Sequence, residues 1–127
     1  MMAKLHEVMA GAVVLASPDD TLGTVREKMT GLDIGAVPVV DADGMLQGIV
    51  TSEDLVTDYP PTIPVSRVMN TPVLTLPPEA ECAEAARTMR EQACHHIVVT
   101  REDRVVGIVS SFDLLRVVES SPVGSGS

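Results

Sequence analysis

A chain of 127 residues with 18 acidic against 9 basic side chains, formal net charge −9, lacks the broad positive footprint that DNA or RNA binding requires. Its 45% hydrophobic and 21% charged residues fit an ordinary soluble protein, and with Tyr59 and Phe112 as its aromatic residues it has no stacking platform for single-stranded nucleic acid. Cys82 and Cys94 form no CxxC or spaced Cys/His set, which argues against zinc, and no apolar run reaches the ~18 residues needed to span a bilayer.

The N-terminal run from Val8 to Ala16, preceded by Lys4, has the outline of a signal peptide. His6 and Glu7 spoil that pattern, and the same region recurs mid-chain, so it is assigned to the fold. A cytoplasmic protein with two reduced, buried thiols is expected. A short strand is predicted at about Val13–Leu15. Asp19-Asp20 then open a helix, with acidic groups in its first turn and Leu22, Val25, Met29 and Leu32 at helical spacing. A strand over Ala36–Val40, a turn at Asp41-Ala42-Asp43-Gly44 and a strand over Met45–Thr51 follow. Their nearly continuous apolar character predicts strands covered on both faces. A last helix starts at Ser52-Glu53. Tyr59-Pro60-Pro61-Thr62-Ile63-Pro64 cannot be helix interior and reads as a semi-rigid connector.

The plan then repeats. A strand at Val73–Leu76 precedes a helix opening at Pro78-Glu79, with Cys82, Ala85, Ala86, Met89 and Ala93 at helical spacing. Strands over His96–Thr100 and Val105–Ser110 and a helix from Ser111-Phe112 complete it. Val8-Met9 returns as Val68-Met69, 60 residues on, and Met29 as Met89. GIVTSEDL (48–55) returns as GIVSSFDL (107–114), now 59 residues on. The lost residue falls in the turn, Asp41–Gly44 against Arg101–Arg104, where deletions are tolerated. Each copy is β-α-β-β-α, an α/β (α+β) arrangement. Half a chain buries too little surface to be stable alone, so a shared core is expected. The organisation is a first motif over 5–57, a Pro-rich linker over 58–65, a second motif over 66–118 and a flexible tail over 119–127. Gly124-Ser125-Gly126-Ser127 in that tail is left out of the fold.

The repeated strand end carries the chemistry. A strand ending in Gly48-Ile49-Val50-Thr51 runs straight into a helix, and the crevice beyond such a strand is a common ligand site. Thr51 and Ser110 stand near the N-cap, and Asp54 and Asp113 three residues on. A carboxylate there accepts both hydroxyls of a ribose and repels phosphate. The same spacing also fits a capping box with Asp in place of Glu or Gln, which the local sequence alone favours.

The doubled G-x-x-[S/T]-x-x-D pattern, together with Val37-Pro38-Val39-Val40-Asp41, resembles the cystathionine β-synthase (CBS) motif over residues of about 5–118. Two such motifs form a Bateman module. The resemblance implies two motifs packed with pseudo-two-fold symmetry, and clefts between them that bind AMP, ADP, ATP or S-adenosylmethionine. It turns the balance from capping to ribose binding. It implies one cleft with Ile108, Ser110 and Asp113 beside Ile34 and Gly35, and another with Ile49, Thr51 and Asp54 beside Cys94 and His95. Adenine would lie between the apolar Ile walls, and Thr71 is a further adenine contact. In a relative of this family a His-Arg pair meets ligand phosphate where this chain has His95-His96. Histidine is neither a fixed charge nor a bidentate fork, and with a pKa near about 6.5 it makes phosphate affinity pH-sensitive. The first copy has the uncharged Gly35-Ala36 there, so the Asp113 cleft is the expected phosphate site.

The chain shows no nucleophile with a base at recognisable spacing, no metal cluster and no Gly-rich phosphate loop, so no catalysis and no obligatory cofactor are expected. A regulatory ligand-sensing module follows, with an adenine nucleotide as ligand. Two modules are expected to stack into a homodimer through Leu114, Leu115 and Val117-Val118, or the chain acts on a separate regulated protein. The alternative is a ligand-free dimerisation or interaction module that keeps the fold.

Overall fold

The computed structural model describes the backbone of residues 3–120 and the side chains of residues 3–117. The predicted tail from Gly124 to Ser127 and the side chain of Val118 lie outside the described residues. In chain order the elements are α1 (Leu5–Val8), α2 (Leu22–Leu32), β1 (Ala36–Val40), β2 (Leu46–Thr51), 3₁₀ segments at Ser52–Val56 and Val65–Arg67, β3 (Thr75–Leu76), α3 (Cys82–Gln92), β4 (His96–Arg101), β5 (Arg104–Ser110) and α4 (Ser111–Ser120). No described helix is long and apolar enough to cross a membrane.

The chain divides into two compact units, and they do not follow the simple order of the copies. The first unit is Val13–Val73 with Asp103–Val105. The second takes the residues up to Ala12, then Leu74–Glu102 and the residues from Val106.

In the first unit α2 begins at Leu22, later than Asp19-Asp20. Thr21 is the N-cap, its hydroxyl accepting from the Thr24 N–H at 3.2 Å. The predicted start lies instead in a turn, where Asp20 Oδ2 accepts from the Ser17 N–H at 2.9 Å. Leu22, Val25 and Met29 share one buried face and meet Ala16, Val37, Val39, Val50 and Val65 in the core. Leu32 is 58% exposed, because the chain turns away at once through Asp33 in the left-handed conformation. β1 and β2 pair antiparallel with Ala36 opposite Thr51, and β1 is buried throughout. Their turn is held by Asp41 Oδ1, which accepts from the N–H groups of Asp43 and Met45. Gly44 supplies the positive φ of 83°.

The strand expected over Val13–Leu15 does not form. Only Ala16 bridges to β1, in parallel with Val39. The next ladder bond would need an N–H from Pro38, which has none. In the second unit the matching residue is Val98, whose N–H donates to Leu74 O at 3.2 Å, and there β3 forms in parallel with β4.

The second unit has the sheet order β3-β4-β5. Its core joins Cys82, Ala85 and Met89 of α3 to Ile97, Val99, Val109 and Leu114. Ala86 and Ala93, predicted on that face, are exposed. Ala93 instead caps α3 at φ 53° and donates its N–H to Met89 O. β4 and β5 are joined by Glu102 and Asp103, both at positive φ, the two-residue hairpin turn that accounts for the deletion. Leu5 of α1 is fully buried in this core. Its N–H donates to Ala80 O, and Cys82 N–H donates to Ala3 O, both at 2.9 Å. The opening segment of the first copy is thus built into the unit of the second. By the same rule Val65, beyond the connector, is fully buried in the first unit and donates to Asp20 O at 2.8 Å.

The closing helices differ. The one expected from Ser52 is a single 3₁₀ stretch, cut short before Pro60-Pro61, while α4 is a full α-helix. Leu114 turns into the core, leaving Phe112 (77% exposed) and Leu115 (55%) outward. Neither thiol is in a disulfide, and burial pushes Cys82 and Cys94 above the ordinary thiol range.

Candidate functional site

Each unit ends its last strand, β2 or β5, in a hydroxyl residue and turns into a helix whose third residue is aspartate. In the first unit Thr51 is the N-cap of the 3₁₀ stretch. Its N–H donates to Asp54 Oδ2 at 2.7 Å and its hydroxyl lies 3.2 Å from the same oxygen. A third donor arrives from outside the motif: Asn70 Nδ2 reaches Asp54 Oδ2 at 2.8 Å and Ile49 O at 3.3 Å. Asn70 is held there by the backbone, since Ile49 and Asn70 exchange both N–H···O bonds. The capping alternative is therefore realised, and it occupies Oδ2 while leaving Oδ1 as a further acceptor.

The same crossing explains Gly48. A side chain there would place its first carbon 3.1 Å from Asn70 O and deep into Met69. Gly107 is under the same constraint from Ala10 O, at 3.2 Å, and Met9. The glycine that opens the repeated motif and the recurring Val-Met pair are two halves of one close approach.

In the second unit Ser110 N–H donates to Asp113 Oδ2 at 2.8 Å, and Asp113 N–H donates back to Ser110 Oγ at 3.2 Å. Asp113 Oδ1 is ion-paired with Arg116, one turn along α4. The Asp113 side chain is 17% exposed and that of Arg116 is 71% exposed. Both line a cavity of about 260 Å³ with Glu7, Val8 and Val117.

The remaining predicted residues surround these strand ends. In the first unit Gly35 O accepts from Ser52 N–H at 2.9 Å, and Ile34 is half-buried against the core. Ile49 is buried and Thr71, next to Asn70, is exposed. In the second unit His95 O accepts from Ser111 N–H at 2.9 Å, the counterpart of the Gly35 bond. Half-buried Ile108 exchanges both backbone bonds with Ala10, as Ile49 does with Asn70. His95 is exposed, and His96 is half-buried at the start of β4. Sequence reasoning missed Asn70 and Arg116. Arg116 was signalled by its i,i+3 spacing from Asp113. Asn70 had no local signal, because it lies 16 residues from Asp54 and meets it only through the crossing with β2.

The CBS domain family model matches residues 5–60 and 65–120. The chain is 32% identical to inosine-5′-monophosphate dehydrogenase of Methanocaldococcus jannaschii over 89% of its own length. It spans 23–33% of the length of that relative and of an uncharacterized protein of the same organism. Among solved structures it resembles a CBS-domain containing protein of Agrobacterium tumefaciens at 26% identity and TM-score 0.82, covering 91% of this chain and 93% of that one. It shares its fold with the CBS domain pair of protein MJ0100, solved with 5′-methylthioadenosine and S-adenosyl-L-methionine, at 22% identity and TM-score 0.86, covering 94% and 98%. The chain belongs to the CBS domain family, as a tandem pair of the regulatory type.

Proposed function

We propose that this CBS pair senses an adenosine-containing ligand, AMP, ADP, ATP or S-adenosylmethionine, at its strand-end carboxylates and carries out no chemistry on it. The observation that carries the reading is the pre-positioned aspartate at the end of β2 and again at the end of β5. Each is held by backbone and side-chain donors before any ligand arrives, so little ordering entropy remains for binding to cost. Asp54 and Asp113 accept ribose hydroxyls, and the hydroxyls of Thr51 and Ser110 turn to ligand oxygens. Ile34, Ile49 and Ile108 offer apolar surface to adenine, with Gly35 and Thr71 as backbone and hydroxyl contacts. His95 and His96 meet phosphate. The fold shared with a pair solved around two adenosine derivatives supports the ligand class.

Such a ligand regulates by favouring the packing that binds it best. The module then acts in the cytoplasm on a separate partner protein, or as a homodimer to which exposed Phe112 and Leu115 contribute. The competing reading is a ligand-free interaction module. It is favoured by Asp54 Oδ2, whose three donors already give that oxygen a structural task.

A thermal melt separates the two. A ligand that binds only the folded chain adds about 2.7 kcal/mol at a hundredfold excess over Kd. A midpoint raised by several degrees with AMP, ATP or S-adenosylmethionine, but not with GMP, is expected. An unmoved midpoint with all of them at millimolar concentration supports the ligand-free module.

A further inference from the structure

The two strand-end carboxylates are held by different donors. Asp54 Oδ2 accepts from the Thr51 N–H at 2.7 Å and from Asn70 Nδ2 at 2.8 Å, with the Thr51 hydroxyl at 3.2 Å. These donors come from two segments, the strand end and the residue that crosses β2. Asn70 is itself fixed: its backbone exchanges both bonds with Ile49, and its amide also donates to Ile49 O at 3.3 Å. The matching place in the second unit, 60 residues earlier, is Ala10. It exchanges the same backbone bonds with Ile108 but brings no side-chain donor. Asp113 Oδ2 takes the Ser110 N–H at 2.8 Å, and Asp113 Oδ1 is paired with Arg116.

The difference bears on a ribose. The last torsion of an aspartate side chain is loosely set, so a carboxylate held at one point swings. Donors from two directions on Asp54 Oδ2 stop that swing and give Oδ1 one direction. The two hydroxyls of a ribose donate together, and a carboxylate that is already aligned loses no rotamer freedom on meeting them. Asp54 Oδ1 is left as the acceptor, whereas Asp113 Oδ1 already serves a cation that a ribose must share or displace. Asn70 is exposed and Asp54 half-buried, so the pair stands where a ligand arrives.

Resting on the reading that the strand-end aspartates take a ribose, we propose that Asn70 is a positioning residue for Asp54 and makes the first unit the tighter ribose site of the two. Ala10, in the matching place, leaves the second unit the weaker.

The test is calorimetric titration of the full chain with adenosine and with dideoxyadenosine, which lacks both ribose hydroxyls. Asp113→Ala isolates the first site and Asp54→Ala the second, and adenosine is expected to bind the former variant more tightly. Adding Asn70→Ala to Asp113→Ala is expected to cut the ratio of adenosine to dideoxyadenosine affinity about tenfold, the order of one hydrogen bond to a charged group. Adding Ala10→Asn to Asp54→Ala is expected to raise that ratio at the second site, a gain that no loosening of the fold imitates. Both positions are exposed and keep their backbone bonds, so the far-ultraviolet circular dichroism stays unchanged. An unchanged ratio after Asn70→Ala, whether both ligands keep their affinity or lose it alike, overturns the proposal and leaves the adenosine reading standing. If the original chain binds neither ligand, the adenosine reading falls and this proposal with it.

Discussion

Leu5→Ala lowers the unfolding free energy by about 2–5 kcal/mol, the range for truncating a fully buried leucine. A four-residue helix has no stability of its own, so α1 is held by what it buries and by its backbone bonds to residues 78 and 80. Leu5 sits among Cys82, Ala85, Ile97 and Val99, all fully buried and all from the second copy. The loss thus reports whether the N-terminal segment belongs to that unit. Urea unfolding followed by far-ultraviolet circular dichroism measures it as a lower midpoint at unchanged slope. Leu32→Ala is the control: 58% exposed, it moves stability by no more than about 0.5 kcal/mol. Equal effects of the two would place Leu5 outside the core.

Removing the strand-end carboxylates has the larger consequence for function. Hydrogen bonds to a charged acceptor contribute about 1.5–3 kcal/mol, so Asp113→Ala weakens an adenosine ligand at the second unit about 10- to 100-fold. Asp54→Ala does the same at the first unit, and the double variant binds at neither. Each alanine also removes the carboxylate side of a capping box and its bond from the Thr51 or Ser110 N–H, at about 1 kcal/mol of stability. Asp54→Ala further leaves the Asn70 amide without its 2.8 Å partner. Circular dichroism at the assay temperature separates a folded chain that has lost its ligand from one that has melted. Unchanged affinity in the folded double variant would make both aspartates purely structural.

Much of this was legible in the sequence, and what was not has physical causes. The 60-residue repeat placed β1 to its terminal residues, and the S/T-x-x-D spacing announced both capping boxes. The first strand failed at Pro38, where a partner strand 22 residues away lacks the donor that Ala16's neighbours need. Periodicity on the strand itself says nothing of its partner's N–H groups. The helix starts were misplaced because acidic residues suit a first turn and the turn before it equally; here Asp20 caps the turn and Thr21 the helix. The exchange of segments between units was hidden for another reason. Leu5 and Val65 are unremarkable apolar residues, and only tertiary packing decides which copy they serve. Asn70 stayed unseen on the same ground, although the site depends on it. Its replacement by Ala10 in the other copy is the one visible trace, and it marks where the two carboxylates part in chemistry.

The account rests on a ligand that meets these carboxylates, and calorimetric titration of the 127-residue chain with AMP, ATP and S-adenosylmethionine tests that most directly. It predicts saturable binding of at least one of them with a Kd below about 1 mM, or more than about 4 kcal/mol of binding free energy. Absence of heat and of saturation for all three at millimolar concentration would contradict it and leave a CBS pair that keeps its fold for contact alone.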